Sequence, residues 1–340
     1  MYLAVSLSVE KCSPKVFKSM IAAGANVLRY NFAYGHPTEI LSNIKRDRAL
    51  VSKMCLSSKP LVLADLPGAK IRLAKFKKKY NILMGDRVVF CGSDIEFTKI
   101  KNAIPVQVSK LSLLININQI ITLGDGELAF RVIKILNESS FIAVALNSGI
   151  TYPFKAINVG CGIDKMNHQV VMARFVEHLS VVKPDWIALS FVSSAKFVRE
   201  FRRLLEKYSK NWHPRLVLKI ESPMGIENLE EIIRESDIVM VSRGYLGLNC
   251  PIECLGIYQK KIINLARIYK KKSIVATQIL NSTLNYFLPT RSDVLDLTNI
   301  IIDGADGIML VDEVIQSKEP KRVISFAINL IDCINKKIRI

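Results

Sequence analysis

Leu216-Val217-Leu218-Lys219-Ile220-Glu221 is an apolar run interrupted by one cation and closed by one carboxylate. A short run of this kind reads as a parallel strand buried on both faces. A lysine inside it is expensive unless a carboxylate, a phosphate or a metal-bound anion lies beside it. A structural salt bridge inside a barrel is the plainer reading of the Lys219 and Glu221 pair. Similar runs stand nearby at Trp186–Ser190, Ile238–Val241, Ser273–Ala276 and Gly307–Val311, with helical periods between them. Upstream, Leu3–Leu7, Asn26–Phe32 and Leu61–Ala64 alternate with helices in the same way. Ser13-Pro14 opens the first helix, with Val16, Phe17, Met20 and Ile21 on one face, and Gly24 ends it. Three strands upstream and five downstream make eight. That number of βα units predicts an α/β fold, a (β/α)8 TIM barrel, with its chemistry at the carboxyl ends of the strands.

The pattern changes in the middle. From about Arg72 to Tyr152 no long helical period is visible. Short β-like runs take over (Val88-Val89-Phe90, Ile120-Ile121, Phe130–Ile133, Phe141–Ala145), punctuated by Gly85-Asp86 and Gly124-Asp125-Gly126. This predicts an inserted small β-barrel lid over residues 69–155, with the barrel formed by 1–68 and 156–340. A last helix runs from Pro320 to about Asn335, which leaves nothing for a further domain.

Composition narrows the class. The chain has 340 residues, half of them hydrophobic and 23% charged, enough for a large core and too ordered for global disorder. The most apolar stretch, Leu111 to Leu123, is broken by Asn116, Asn118 and Gln119, so no membrane span is expected. The amino terminus has no basic segment and meets Glu10-Lys11 at once, so it reads as a first strand and not a signal peptide. Seven scattered cysteines contain no Cys-x-x-Cys, and Cys250 with Cys254 has no histidine to complete a zinc site. The four histidines show no metal spacing, and reduced thiols point to a cytoplasmic protein. The net charge of +18 suits an anionic partner. The abundance of Ile and Lys also fits the compositional habit of an A+T-rich genome. The runs Lys75-Phe76-Lys77-Lys78-Lys79 and Lys270-Lys271-Lys272 carry no aromatic stacking pattern and read as solvated faces, so no nucleic-acid partner is expected.

Polar residues close the predicted strands: Arg29 and Asn31, Asp65, Ser190, Lys219 and Glu221, Arg243-Gly244, Thr277-Gln278. Here the chain resembles the pyruvate kinase family, in its bacterial, potassium-independent form. Ile21–Phe32 (IAAGANVLRYNF) is similar to the family's AGxNxxRxNFSHG segment, and Ala64–Arg72 (ADLPGAKIR) to DxxGPKIR. Lys219-Ile220-Glu221 matches KIE, and Ser236–Gly247 (SDIVMVSRGYLG) resembles SDxxMVARGDLG. Ala276–Leu280, Pro289-Thr290-Arg291 and Asp303–Leu310 follow in the family's order.

The resemblance implies transfer of phosphate from phosphoenolpyruvate to ADP, giving pyruvate and ATP, the last step of glycolysis. It implies Lys219 and Thr277 as catalytic residues. Arg29, Arg72, Ser190, Gly244 and Thr277 would bind substrate, and Glu221 would be a ligand of Mg2+ or Mn2+. Potassium would not be required: Lys70 stands where potassium-dependent relatives have glutamate, beside Asn31 and Asp65, while Ala33 and Leu66 replace two oxygen ligands. A homo-oligomer is compatible with the family.

Three departures accompany it. Tyr245 replaces the aspartate that would be a second metal ligand, and a phenol is a poor magnesium ligand. Tyr34 replaces a histidine. Gly160–Gln169 does not reproduce the family's segment, which leaves Lys165 open as a substrate-facing lysine. The family's C-terminal regulatory domain has no counterpart. The competing expectation is a degenerate or repurposed relative that binds an enolpyruvate-type anion without kinase activity. A non-enzymatic interaction protein is the reading from another class.

Overall fold

A computed structural model describes residues 1–7, 12–76, 79–100, 102–208 and 211–338. Glu10-Lys11 and the central Lys77-Lys78 of the first basic run lie outside the described residues.

The barrel begins with β1 (Tyr2–Leu7), α1 (Pro14–Ala22), β2 (Val27–Asn31), α2 (Pro37–Ser52) and β3 (Leu61–Leu66). The Ser13 side chain caps α1 by accepting from Val16 N, with Pro14 in the first turn, the two signals that locate a helix start. The lid follows: β4 (Tyr80–Ile82), β5 (Arg87–Cys91), β6 (Ala103–Pro105), β7 (Ile120–Leu123), β8 (Leu128–Asn137), β9 (Ser140–Ala145), β10 (Gly149–Thr151) and β11 (Ile157–Asn158).

The barrel resumes with α3 (His168–Val182), β12 (Trp186–Leu189), α4 (Ala195–Tyr208) and β13 (Arg215–Ile220). Then come α5 (Pro223–Glu227), α6 (Leu229–Glu235), β14 (Ile238–Ser242), α7 (Arg243–Asn249), α8 (Leu255–Ile268) and β15 (Lys272–Ala276). The chain finishes with α9 (Arg291–Ile302), β16 (Gly307–Leu310), α10 (Asp312–Ile315) and α11 (Pro320–Ile338). The last helix runs three residues past the expected Asn335.

All eight barrel strands are parallel and close in the order β1-β16-β15-β14-β13-β12-β3-β2. Strand β3 pairs directly with β12, Leu63 beside Trp186, so the lid interrupts the chain but not the barrel wall. Period-2 alternation then fixes the site. Ala4, Val27, Leu63, Ala188, Val217 and Met240 fill the barrel interior, while Leu216, Leu218 and Ile220 pack outward against the helices. Two residues beyond each interior apolar residue stands a buried polar one: Ser6, Arg29, Asp65, Ser190, Lys219 and Ser242. The interior is therefore apolar below and polar in the layer nearest the carboxyl ends.

The lid is a curled six-stranded sheet, β11-β7-β8-β9-β5-β6, beside a two-stranded one. The segment Ile71–Ala74 hydrogen-bonds to the chain at both edges, Lys155–Ile157 beside β11 and Pro105–Gln107 beside β6, and curls the sheet into the small barrel expected. Isolated bridges Arg72↔Ala156 and Leu73↔Val106 draw these two edges together. Just past residue 155, Ile157 and Asn158 pair with Leu123 and Thr122. A separate core, with Phe90 stacked on Phe141 and edge-on to Phe130, holds the lid. Among the described residues, no helix is long and apolar enough to cross a membrane.

Candidate active site

Four charges meet at the top of the barrel. Arg29 donates through Nε to Asp65 Oδ2 at 2.8 Å and through Nη1 to Ser6 Oγ at 2.6 Å. Lys219 Nζ donates to Asp65 Oδ1 at 3.1 Å and to Ser190 Oγ at 2.9 Å, and lies 3.2 Å from Glu221 Oε1. Ser190 Oγ passes the chain on by donating to Leu66 O at 2.8 Å. Asp65 and Glu221 are each 1% exposed and Lys219 is 8% exposed. Burial alone would favour the neutral forms. Against it, Lys219 and then Arg29 hold the Asp65 carboxyl below its ordinary range. Burial likewise opposes the charge on Lys219, but Asp65 and Glu221 raise its ammonium above the usual lysine value.

Glu221 Oε2 accepts from Phe191 N at 2.9 Å. Phe191 adopts a left-handed φ of 52°, an unfavourable conformation for a bulky residue that aims its N–H at the carboxylate. Opposite, Thr277 (φ 75°) and Gln278 (φ 53°) are also left-handed. Arg243 clamps them, donating to Thr277 O and Gln278 O at 2.7 Å each while its Nη1 grips Asp296 at 2.8 Å. The Thr277 hydroxyl then accepts from Gly244 N at 3.0 Å.

The four charges, Arg243 and Thr277 line a cavity of about 670 Å³. Arg29, Asn31, Asp65, Lys70, Ser190, Lys219, Glu221, Gly244, Tyr245 and Thr277 all face it. Two residues singled out in the sequence do not line it. Arg72 donates to Phe154 O at 2.9 Å, and Lys165 donates to Leu113 O at 2.7 Å. Both are spent on lid backbone.

The rim is aromatic. Lys70 Nζ lies 4.9 Å from the ring centroid of Tyr245 and 5.9 Å from that of Tyr34. Tyr245 meets Phe191 edge-on at 5.2 Å, and Phe191 stacks on His168 at 4.8 Å. His168 Nε2 donates to Ile163 O, and Nδ1 accepts from Ala69 N at 3.0 Å. Burial depresses the His168 pKa, in keeping with a neutral ring that has one donor and one acceptor.

Asp125, Asp312 and Glu313 also line the cavity and were not anticipated. Burial, then Glu127 and Asp312, raise the Asp125 carboxyl. Glu313 is buried and accepts from Val311 N at 2.8 Å. Asp312-Glu313 follow the last barrel strand, so the rule that flagged the other strand ends would have found them. Asp125 sits in a glycine-flanked turn and gave no such signal.

A divalent metal has one charged ligand ready here. Glu221 faces the same cavity as Tyr245, and among the described residues no group of three or more His, Cys, Asp or Glu is placed to hold an ion. Magnesium binds commonly through one or two carboxylates together with substrate oxygens and water. The donor set therefore fits a metal that arrives with an oxygen-rich anionic substrate, not one held by the protein alone.

A lidded (β/α)8 barrel with paired cations around an anion-sized cavity at its carboxyl end defines the class. Comparison with known proteins narrows it. The family described as pyruvate kinase, barrel domain, matches residues 6–324. The pyruvate kinase of Thermococcus litoralis is 34% identical over 316 residues, covering 90% of this chain and 63% of its own length. That of Buchnera aphidicola subsp. Schizaphis graminum is 34% identical, covering 91% of this chain and 65% of its own. That of Thermotoga maritima is 32% identical, covering 92% and 66%. The chain belongs to the pyruvate kinase family and spans just under two thirds of the length of these curated relatives.

Proposed function

We propose that the chain transfers a phosphoryl group between phosphoenolpyruvate and ADP, yielding pyruvate and ATP, in the cytoplasm. The observation that carries this reading is Lys219, buried and charged among Asp65, Glu221 and Ser190. Phosphoryl transfer demands positioning and charge stabilisation more than covalent help from the protein. Arg29 brings a planar fork, already oriented by Ser6 and Asp65, to an incoming phosphate. Lys219 supplies positive charge where the enolate oxygen develops negative charge. The Thr277 hydroxyl, fixed by Gly244 and the Arg243 clamp, would serve the proton transfer to the enol carbon that the family resemblance implies.

Glu221 would hold Mg2+ or Mn2+ together with substrate oxygens. Such a metal, when bound, neutralises charge on the transferring group. Potassium is not needed in this reading: Ala33 and Leu66 offer no side-chain oxygen, and Lys70 brings a positive charge to the cavity wall. The cytoplasmic assignment is supported by the glycolytic relatives and by seven free cysteines.

Tyr245 favours a second reading, an anion-binding relative without turnover. Turnover of phosphoenolpyruvate and ADP, coupled to lactate dehydrogenase, separates the two. Metal-dependent pyruvate formation supports the kinase. Phosphoenolpyruvate binding without turnover supports the alternative.

A further inference from the structure

The two tyrosines that break the family pattern converge on one side chain. Tyr245 and Tyr34 both lie within cation–π range of the Lys70 ammonium. Among the described residues Lys70 forms no salt bridge, whereas Arg29 and Lys219 are both paired with carboxylates. Tyr245 is itself held. Its ring meets Phe191, Phe191 stacks on His168, and His168 accepts the N–H of Ala69, the residue before Lys70.

The contacts form a closed circuit: Ala69 at one end, Lys70 at the other, three aromatic rings between. The 68–70 segment packs tightly enough that a Cβ on Gly68 would meet the Phe191 ring at 2.5 Å and His168 at 2.9 Å. Backbone and side chain of the 68–70 segment are thus both registered against one aromatic stack.

We propose that Tyr245 is a positioning residue: its ring face holds the Lys70 ammonium at the cavity wall, where it meets the phosphoryl group of a bound substrate. The proposal rests on the phosphotransferase reading above. A neutral ring suits this role. A carboxylate at this position would pair with Lys70 and cancel the charge. An aromatic face orients the ammonium and leaves that charge available to an anion.

The test uses the full chain and inorganic phosphate, titrated calorimetrically without divalent metal, so that metal ligation contributes nothing. Tyr245→Leu should weaken phosphate binding by about fivefold to thirtyfold, and Tyr245→Phe should recover what Leu loses. Combined with Lys70→Met, Tyr245→Leu should cost nothing further, because the ring acts only through the lysine. Tyr245→Met carries the same test should the leucine variant fail to fold.

Wild-type affinity in Tyr245→Leu, or an equal loss in the Lys70→Met background, overturns the proposal. Loss in Lys70→Met without loss in Tyr245→Leu overturns the positioning role of Tyr245 and leaves the lysine its contact with phosphate. An unaffected Lys70→Met removes the phosphate role of the lysine as well. Turnover of the unmodified chain with phosphoenolpyruvate and ADP reports separately on the phosphotransferase reading.

Discussion

The inner and outer cations of the cavity are held by opposite means. Arg29 and Lys219 are buried and share Asp65, with Glu221 on the far side of the lysine, so two positive charges face two negative ones. Lys70, at the rim, rests on two aromatic faces. The inner set spends its charge on holding its own geometry. The outer lysine keeps its charge. In the proposed reaction, pre-organisation and attraction would thus be separated in space: one region would fix where a phosphate sits, the other would add net pull.

Breaking the inner set should have the larger consequence. Lys219→Met removes the cation shared by Asp65 and Glu221. Phosphoenolpyruvate turnover should fall by about 10²–10³-fold, and denaturant titration should show a loss of about 3–5 kcal/mol for the stranded carboxylates. Turnover within a factor of a few of the unmodified chain would make this lysine structural only.

Asp65→Asn comes next. It leaves Arg29 and Lys219 side by side without their common anion, and should cost about 3 kcal/mol. The pH dependence has a definite sign. A carboxyl held below its ordinary value of 3.8 contributes stability above that value and loses it as the pH falls through the lower, folded value. Lys219, raised above 10.5, contributes below that value and loses it as the pH rises through the folded one. The stability gap between wild type and Asp65→Asn should therefore be flat between these limits and close only outside them. A gap that changes near neutrality would place the titration elsewhere.

Tyr245→Asp exchanges one region's logic for the other's. It should raise Mg2+ affinity in the absence of substrate by about tenfold, about 1.4 kcal/mol, while bringing Lys70 an anion of its own. Parallel titrations of metal and phosphate would show the first gain accompanied by the second loss. The smallest expected effect is potassium. Replacing it by sodium should leave turnover unchanged, and Lys70→Glu should not create a response, because Ala33 and Leu66 still lack oxygens.

What could be read in advance follows this division. Alternation along β13 places Lys219 two residues after the interior Val217, and the same offset exposes Arg29, Asp65 and Ser190 as polar intruders in apolar runs. Period and polarity are local, so the inner set was legible. Ser6 was not, because one serine in an apolar strand carries no signal until Arg29 is seen to need it. The aromatic circuit was hidden for a different reason. Tyr245, Phe191, His168 and Lys70 come from four separate segments, and their meeting depends on the path between β3 and the lid. Read alone, Tyr245 is a missing ligand. The two-residue strand Ile157–Asn158 was too short to show any period.

The pairing of β3 with β12 bears on how the chain reaches its native state. Leu63 and Trp186 can meet only after the whole intervening lid has been accommodated. Closing so long a segment carries an entropic cost that delays such contacts during folding. The lid lowers that cost itself. Ile157 N donates to Ile71 O at 3.0 Å and Leu73 N to Lys155 O at 2.9 Å, so its two ends are joined. A lid that condenses first, around its own aromatic core, presents the barrel with a short loop. Its condensation would then act as the kinetic gate for barrel closure.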